Sequence, residues 1–132
     1  LLAQKHVQED AVDLQELVRV LKRKHVLDSL CISQPNGSLL ASSEGNGVNE
    51  SITASALFNY VQSEIPRSEI VLIRSNTWNM LFKYHGKIFI IKAPASLSTI
   101  ELKAISKEVE NFLLKNDAPV REQKKIQRSS IE

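Results

Sequence analysis

The stretch Trp78-Asn79-Met80-Leu81-Phe82-Lys83-Tyr84-His85-Gly86-Lys87-Ile88-Phe89-Ile90-Ile91-Lys92-Ala93 decides the architecture. From Trp78 to His85 the even positions Trp78, Met80, Phe82 and Tyr84 are large and apolar, while Asn79, Lys83 and His85 are polar. Successive side chains of a strand point to opposite faces, so a period of two predicts a strand with one well-buried face. Gly86 permits a tight turn. Lys87 to Ala93 then reads as a second strand, and its run Ile88-Phe89-Ile90-Ile91 predicts a central position covered on both faces.

Working outward, Glu69 to Arg74 reads as a further strand, joined to Trp78 through the turn Ser75-Asn76-Thr77. On the other side Pro94 ends the last strand. Ser98 and Glu101 have the spacing of a capping box, and Leu102, Ile105, Val109, Phe112 and Leu113 follow at helical intervals. Beyond Lys115 the chain turns polar. Residues 1–115 are read as the domain and 116–132 as a polar tail, mobile or a frayed helix.

Upstream, a helix is predicted from about Asn49 to Glu64, capped by Asn49 or Ser51 and stopped by Pro66. It carries two apolar stripes. Ala54, Leu57, Phe58, Val61 and Ile65 form one; Ile52, Ala56 and Tyr60 form the other, nearly opposite at about 100° per residue. A surface helix needs only one, so the second fits either a helix wedged under a loop or a helix that packs on its own sheet and also on a partner. Before it, Asp28–Ser33 and Ser38–Ser42 read as a hairpin around Gln34-Pro35-Asn36-Gly37. The first helix shows Val7, Ala11, Leu14, Leu17, Val18 and Leu21 on one side, with Gln8, Glu9, Asp13, Gln15, Arg19 and Lys22 between them. Lys22-Arg23-Lys24-His25 suits the negative end of its dipole. The resulting fold class is α+β, in the order helix, two strands, helix, three strands, helix, with a five-stranded antiparallel sheet and helices on both faces.

Composition narrows the function. With 132 residues, 42% hydrophobic and 24% charged, the chain is long and apolar enough for one core, which excludes a disordered segment or a coiled coil. A net charge of +2 does not mark a nucleic-acid surface. The single cysteine, Cys31, rules out an intrachain disulfide and is read as core filler, in keeping with a reducing, cytoplasmic setting. No run nears the roughly 18 apolar residues of a membrane helix, so no span is expected within this chain. Its start at Leu1-Leu2-Ala3, without Met, fits a piece of something longer.

No catalytic, cofactor-binding or metal-ligating residues are assigned. His6, His25 and His85 lie on separate elements without companions at ligand spacing. The loop Ser43-Glu44-Gly45-Asn46-Gly47 lacks the Gly-Lys-Ser/Thr of a phosphate cradle. No Gly-x-Ser-x-Gly elbow is present. The chain is therefore read as a non-enzyme without a cofactor. A small-ligand sensor of profilin-like or PAS-like architecture is the alternative.

The arrangement resembles the Roadblock family, also called the dynein light-chain Roadblock type, which is related to longin and profilin-like folds. The resemblance spans about Val7 to Leu114. It is carried by the amphipathic opening helix, the hairpin Leu30-Cys31-Ile32-Ser33-Gln34-Pro35-Asn36-Gly37-Ser38-Leu39-Leu40-Ala41, the helix segment Ile52-Thr53-Ala54-Ser55-Ala56-Leu57, and the three-strand meander with its closing helix. Asn36 departs from the acidic residue often found before the turn glycine, and Phe58-Asn59-Tyr60 from a middle helix commonly richer in Ala and Gly. The resemblance implies dimerisation through the middle helix and the next strand, with itself or a related chain. It also implies a platform for small Ras-like GTPases or for motor and adaptor complexes. The residues this assigns to the interface are Ile52, Ala56, Asn59, Tyr60, Ile70, Val71, Leu72 and Ile73.

Overall fold

A computed structural model describes residues 14–45 and 47–115 in full and, for 2–13 and 116–131, the helical backbone alone. The elements in chain order are α1 (Leu2–His25), β1 (Ser29–Ser33), β2 (Leu39–Ser42), α2 (Val48–Glu64), β3 (Ile70–Arg74), β4 (Trp78–Tyr84), β5 (Lys87–Ala93) and α3 (Thr99–Ile131). The sheet order is β2-β1-β5-β4-β3, and every neighbouring pair is antiparallel. This is the α+β order read from the pattern, with β5 at the centre and β3 at an edge.

Turn chemistry explains the strand limits. His85 (φ 51°) and Gly86 (φ 74°) both lie in the left-handed region, as a two-residue primed turn requires. His85 is thus the first turn residue rather than the last of β4. In the β1–β2 turn, the Gly37 N–H donates to Gln34 O at 2.9 Å and the Ser38 N–H to Asn36 Oδ1 at 2.9 Å. Asn36 therefore holds the turn as an acidic residue would.

Two unlike layers sandwich the sheet within Leu1–Leu97. Cys31, Leu81, Ile88 and Ile90 face α2 and pack with Ala54 and Phe58, flanked by Leu39, Leu57 and Val71. Alternation sends Leu30, Ile32, Met80, Phe82, Phe89 and Ile91 to the opposite face, where all are buried. Phe82 and Phe89 stack there with centroids 5.3 Å apart. On α1, which lies against β1 and β2, Val18 and Leu21 are buried. Val7 and Ala11 of its predicted stripe fall outside the described side chains. α1 closes with Leu27 N–H to Lys22 O (3.0 Å) and Val26 N–H to Arg23 O (3.4 Å), a Schellman-type end. The residue in the left-handed position is Val26 (φ 53°) rather than glycine.

The unit Ser98–Glu132 contains the helix α3. Its predicted capping box forms: the Ser98 N–H donates to Glu101 Oε1 (3.2 Å) and the Glu101 N–H to Ser98 Oγ (3.1 Å). Among its described side chains, Leu102, Ser106 and Val109 are buried. The side chains of the expected polar tail, 116–132, fall outside the described residues.

Candidate protein-interaction site

α2 begins one residue before the predicted start, at Val48, with Gly47 as its N-cap and no side-chain cap. Neither Asn49 nor Ser51 caps it. Ser51 instead turns inward, is buried, and donates from Oγ to Gly37 O at 2.9 Å. Gly47 serves a close approach: a Cβ there would meet Ser42 Cβ at 2.8 Å. The buried face of α2 is Ser51, Ala54, Ser55 and Phe58. Ile65, assigned to that face from spacing, lies beyond the helix and is exposed.

Among exposed polar residues such as Asn49, Thr53 and Ser63, an open apolar stripe runs along the outer face of α2. Ile52 and Tyr60 are 54% and 57% exposed, and Ala56 between them is exposed as well. Val48, at 58%, extends the line by one more step of four. The series Val48-Ile52-Ala56-Tyr60 thus runs nearly the length of the helix. Sequence spacing already held this signal for Val48, which was missed because the helix was started at Asn49. Asn59, also exposed, donates from Nδ2 to Pro35 O at 2.8 Å and pins the β1–β2 turn.

The β3 residues sit at a free sheet edge. The Ser75 N–H to Thr77 O bond (3.0 Å) and the unbroken register with β4 phase the ladder. Val71 and Ile73 bond to β4, and Ile70, Leu72 and Arg74 turn their N–H and C=O groups outward. Opposite Leu81 and Asn79, Val71 and Ile73 lie on the α2 face; Ile70 and Leu72 lie on the other. Val71 packs against the cluster holding Ala54 and Phe58, so it links the edge to the helix. Among the described residues no hydrogen bond reaches the outward groups of β3. Its end is anchored, with Arg74 over the Trp78 ring (5.7 Å to the centroid) and Trp78 Nε1 donating to Leu97 O at 2.9 Å.

Burial, and secondarily the charge of Glu50, push the Cys31 thiol up to about 12, which keeps it protonated and unreactive. Among the described residues no three His, Cys, Asp or Glu side chains converge on a metal position. No helix among them is long and apolar enough to cross a membrane.

No protein-family model and no curated protein sequence matches the chain. Solved structures do. Myxococcus xanthus MglB superposes with a TM-score of 0.66 at 10% identity, covering 84% of this chain and 92% of that one. An MglB structure described as having a tetrameric arrangement gives 0.63 at 12% identity, over 81% and 87%. A Roadblock/LC7 domain from Streptomyces avermitilis gives 0.56 at 14%, over 76% and 97%. The fold is of the Roadblock type. In this Roadblock-type fold the exposed face of α2 and the open edge of β3 belong to consecutive elements, joined by the short connection 65–69.

Proposed function

We propose that this chain is a non-enzymatic interaction module that works as a dimer, with itself or a related chain. Ile52, Ala56 and Tyr60, joined by Val48, form one part of the seam, and the β3 edge Ile70–Ile73 forms the other. The partner's β3 adds antiparallel to this one, so that two sheets become one across a two-fold axis. The carrying observation is an apolar stripe along the outside of α2 followed, after a short connection, by the strand Ile70-Val71-Leu72-Ile73, which pairs with β4 on one side and is open on the other. Such an edge invites pairing unless it is covered. The joined sheet then serves as a platform for a small Ras-like GTPase or an adaptor complex, a role that rests on the resemblance of the fold.

The small-ligand reading has less support. It needs a cavity on the sheet lined by convergent polar groups. The face of Met80, Phe82 and Phe89 is filled by those side chains.

Light scattering on a sizing column, over a concentration range, tests the proposal. The chain should run at twice its own mass, and Tyr60→Glu or Leu72→Lys should shift it toward one. Either variant remaining fully dimeric would refute the seam. Co-purification with nucleotide-loaded Ras-like GTPases tests the platform role, with retention by the parent and loss in any variant that abolishes the joined sheet.

A further inference from the structure

The two free edges of the sheet are not equivalent. At β2, the Ser43 N–H donates to Leu30 O at 2.9 Å, which makes Cys31 and Ser42 a pair whose own N–H and C=O groups point away from each other. The outward groups of Ser42 are therefore docking points for another strand. One side chain takes both. Gln15 Nε2 donates to Ser42 O at 2.7 Å, and the Ser42 N–H donates to Gln15 Oε1 at 3.3 Å. A carboxamide carries the donor and acceptor of a peptide unit, so Gln15 stands where the backbone of an added strand would stand. The β2 edge is also short, and its ladder is irregular between Ile32 and Ser33. At β3 the outward groups of Ile70, Leu72 and Arg74 meet no such side chain among the described residues.

We propose that Gln15 closes the β2 edge to strand addition, so that a second copy of this chain enters the sheet at β3 alone and assembly stops at a pair. A protomer with one open edge forms closed dimers. With two open edges it extends without closure. The extension half of this inference rests on β3 being the seam; the closure of β2 does not. α1 thus contributes a specificity device, placed by the half-buried position of Gln15 between Leu14 and Val18.

The test compares full-length variants by light scattering against concentration, with far-ultraviolet circular dichroism to check the fold. Gln15→Ala should raise the weight-average mass at least about twofold over the parent as concentration increases. Gln15→Glu should keep the parent mass, because it retains an acceptor for the Ser42 N–H and puts a charge on the edge. In a Leu72→Pro background, which the outward Leu72 N–H tolerates, Gln15→Ala should convert monomer to dimer and stop there. Gln15→Ala at the parent mass throughout overturns the proposal, as does equal growth of the Ala and Glu variants, which would mark general destabilisation. If the parent is monomeric and Leu72→Pro changes nothing, the β3 seam fails. A monomer-to-dimer shift on Gln15→Ala would still uphold the closed β2 edge.

Discussion

The two faces of α2 carry each other's usual residues. Facing the sheet are Ser51, Ala54, Ser55 and Phe58; facing away are Val48, Ile52, Ala56 and Tyr60. Buried hydroxyls are unfavourable unless bonded, and both are bonded: Ser51 Oγ to Gly37 O, and Ser55 Oγ to Ile52 O at 3.1 Å. Small inward residues let the β1–β2 turn come close, since a Cβ on Gly37 would lie 3.2 Å from Ser55 Oγ. The inner face is shaped by fit within the chain. The outer face carries an apolar stripe that no contact within the described residues covers, and in the proposed function that stripe is what meets a second chain.

Predictions that probe this contrast run from large to small. Phe58→Ala should cost about 3–5 kcal/mol in denaturant unfolding. Tyr60→Ala should change the stability of the monomer, measured at high dilution, by no more than about 0.5 kcal/mol. Similar losses at both positions would erase the distinction between the faces. A second probe is alkaline pH. The Cys31 thiol stays protonated in the fold but ionises near 9.0 once unfolded. Stability should therefore fall as pH rises from 9.0 toward about 12, by about 1.4 kcal/mol per unit. Cys31→Ala should lack that part of the slope, and equal slopes in the two proteins would contradict a buried thiol. Third, Gly37→Ala should cost about 1–3 kcal/mol, from a φ of 95° and crowding against Ser55. The last probe lies far from both faces: Val26→Gly should stabilise by about 1 kcal/mol, by relieving a β-branched residue in the left-handed region.

Much of the fold was legible because its signals are local. The alternation Trp78-Met80-Phe82-Tyr84, the run Ile88–Ile91 and the Ser98–Glu101 box each report a strand or cap without reference to distant chain. The second stripe of α2 was visible for the same reason. The misses depend on contacts far along the sequence. Ser51 looked like a cap because nothing local reveals that its hydroxyl meets Gly37. Nothing local reveals that the Asn59 amide reaches the β1–β2 turn at Pro35. Ile65 kept helical spacing although the helix ends before it. Gln15 read as one more polar residue of α1, since the pairing with Ser42 spans 27 positions. Which strand is left at an edge is likewise a property of the assembled sheet.

Backbone hydrogen exchange along β3 tests the central claim most directly. Val71 and Ile73 bond to β4 and should be protected in any state of the protein. The outward N–H groups of Ile70, Leu72 and Arg74 can be protected only by a partner strand. The account predicts slow exchange at Leu72 that becomes fast in Tyr60→Glu, with Val71 and Ile73 unchanged. Fast exchange at Leu72 in the parent chain, at concentrations where the mass is that of a dimer, would contradict it and place the seam elsewhere.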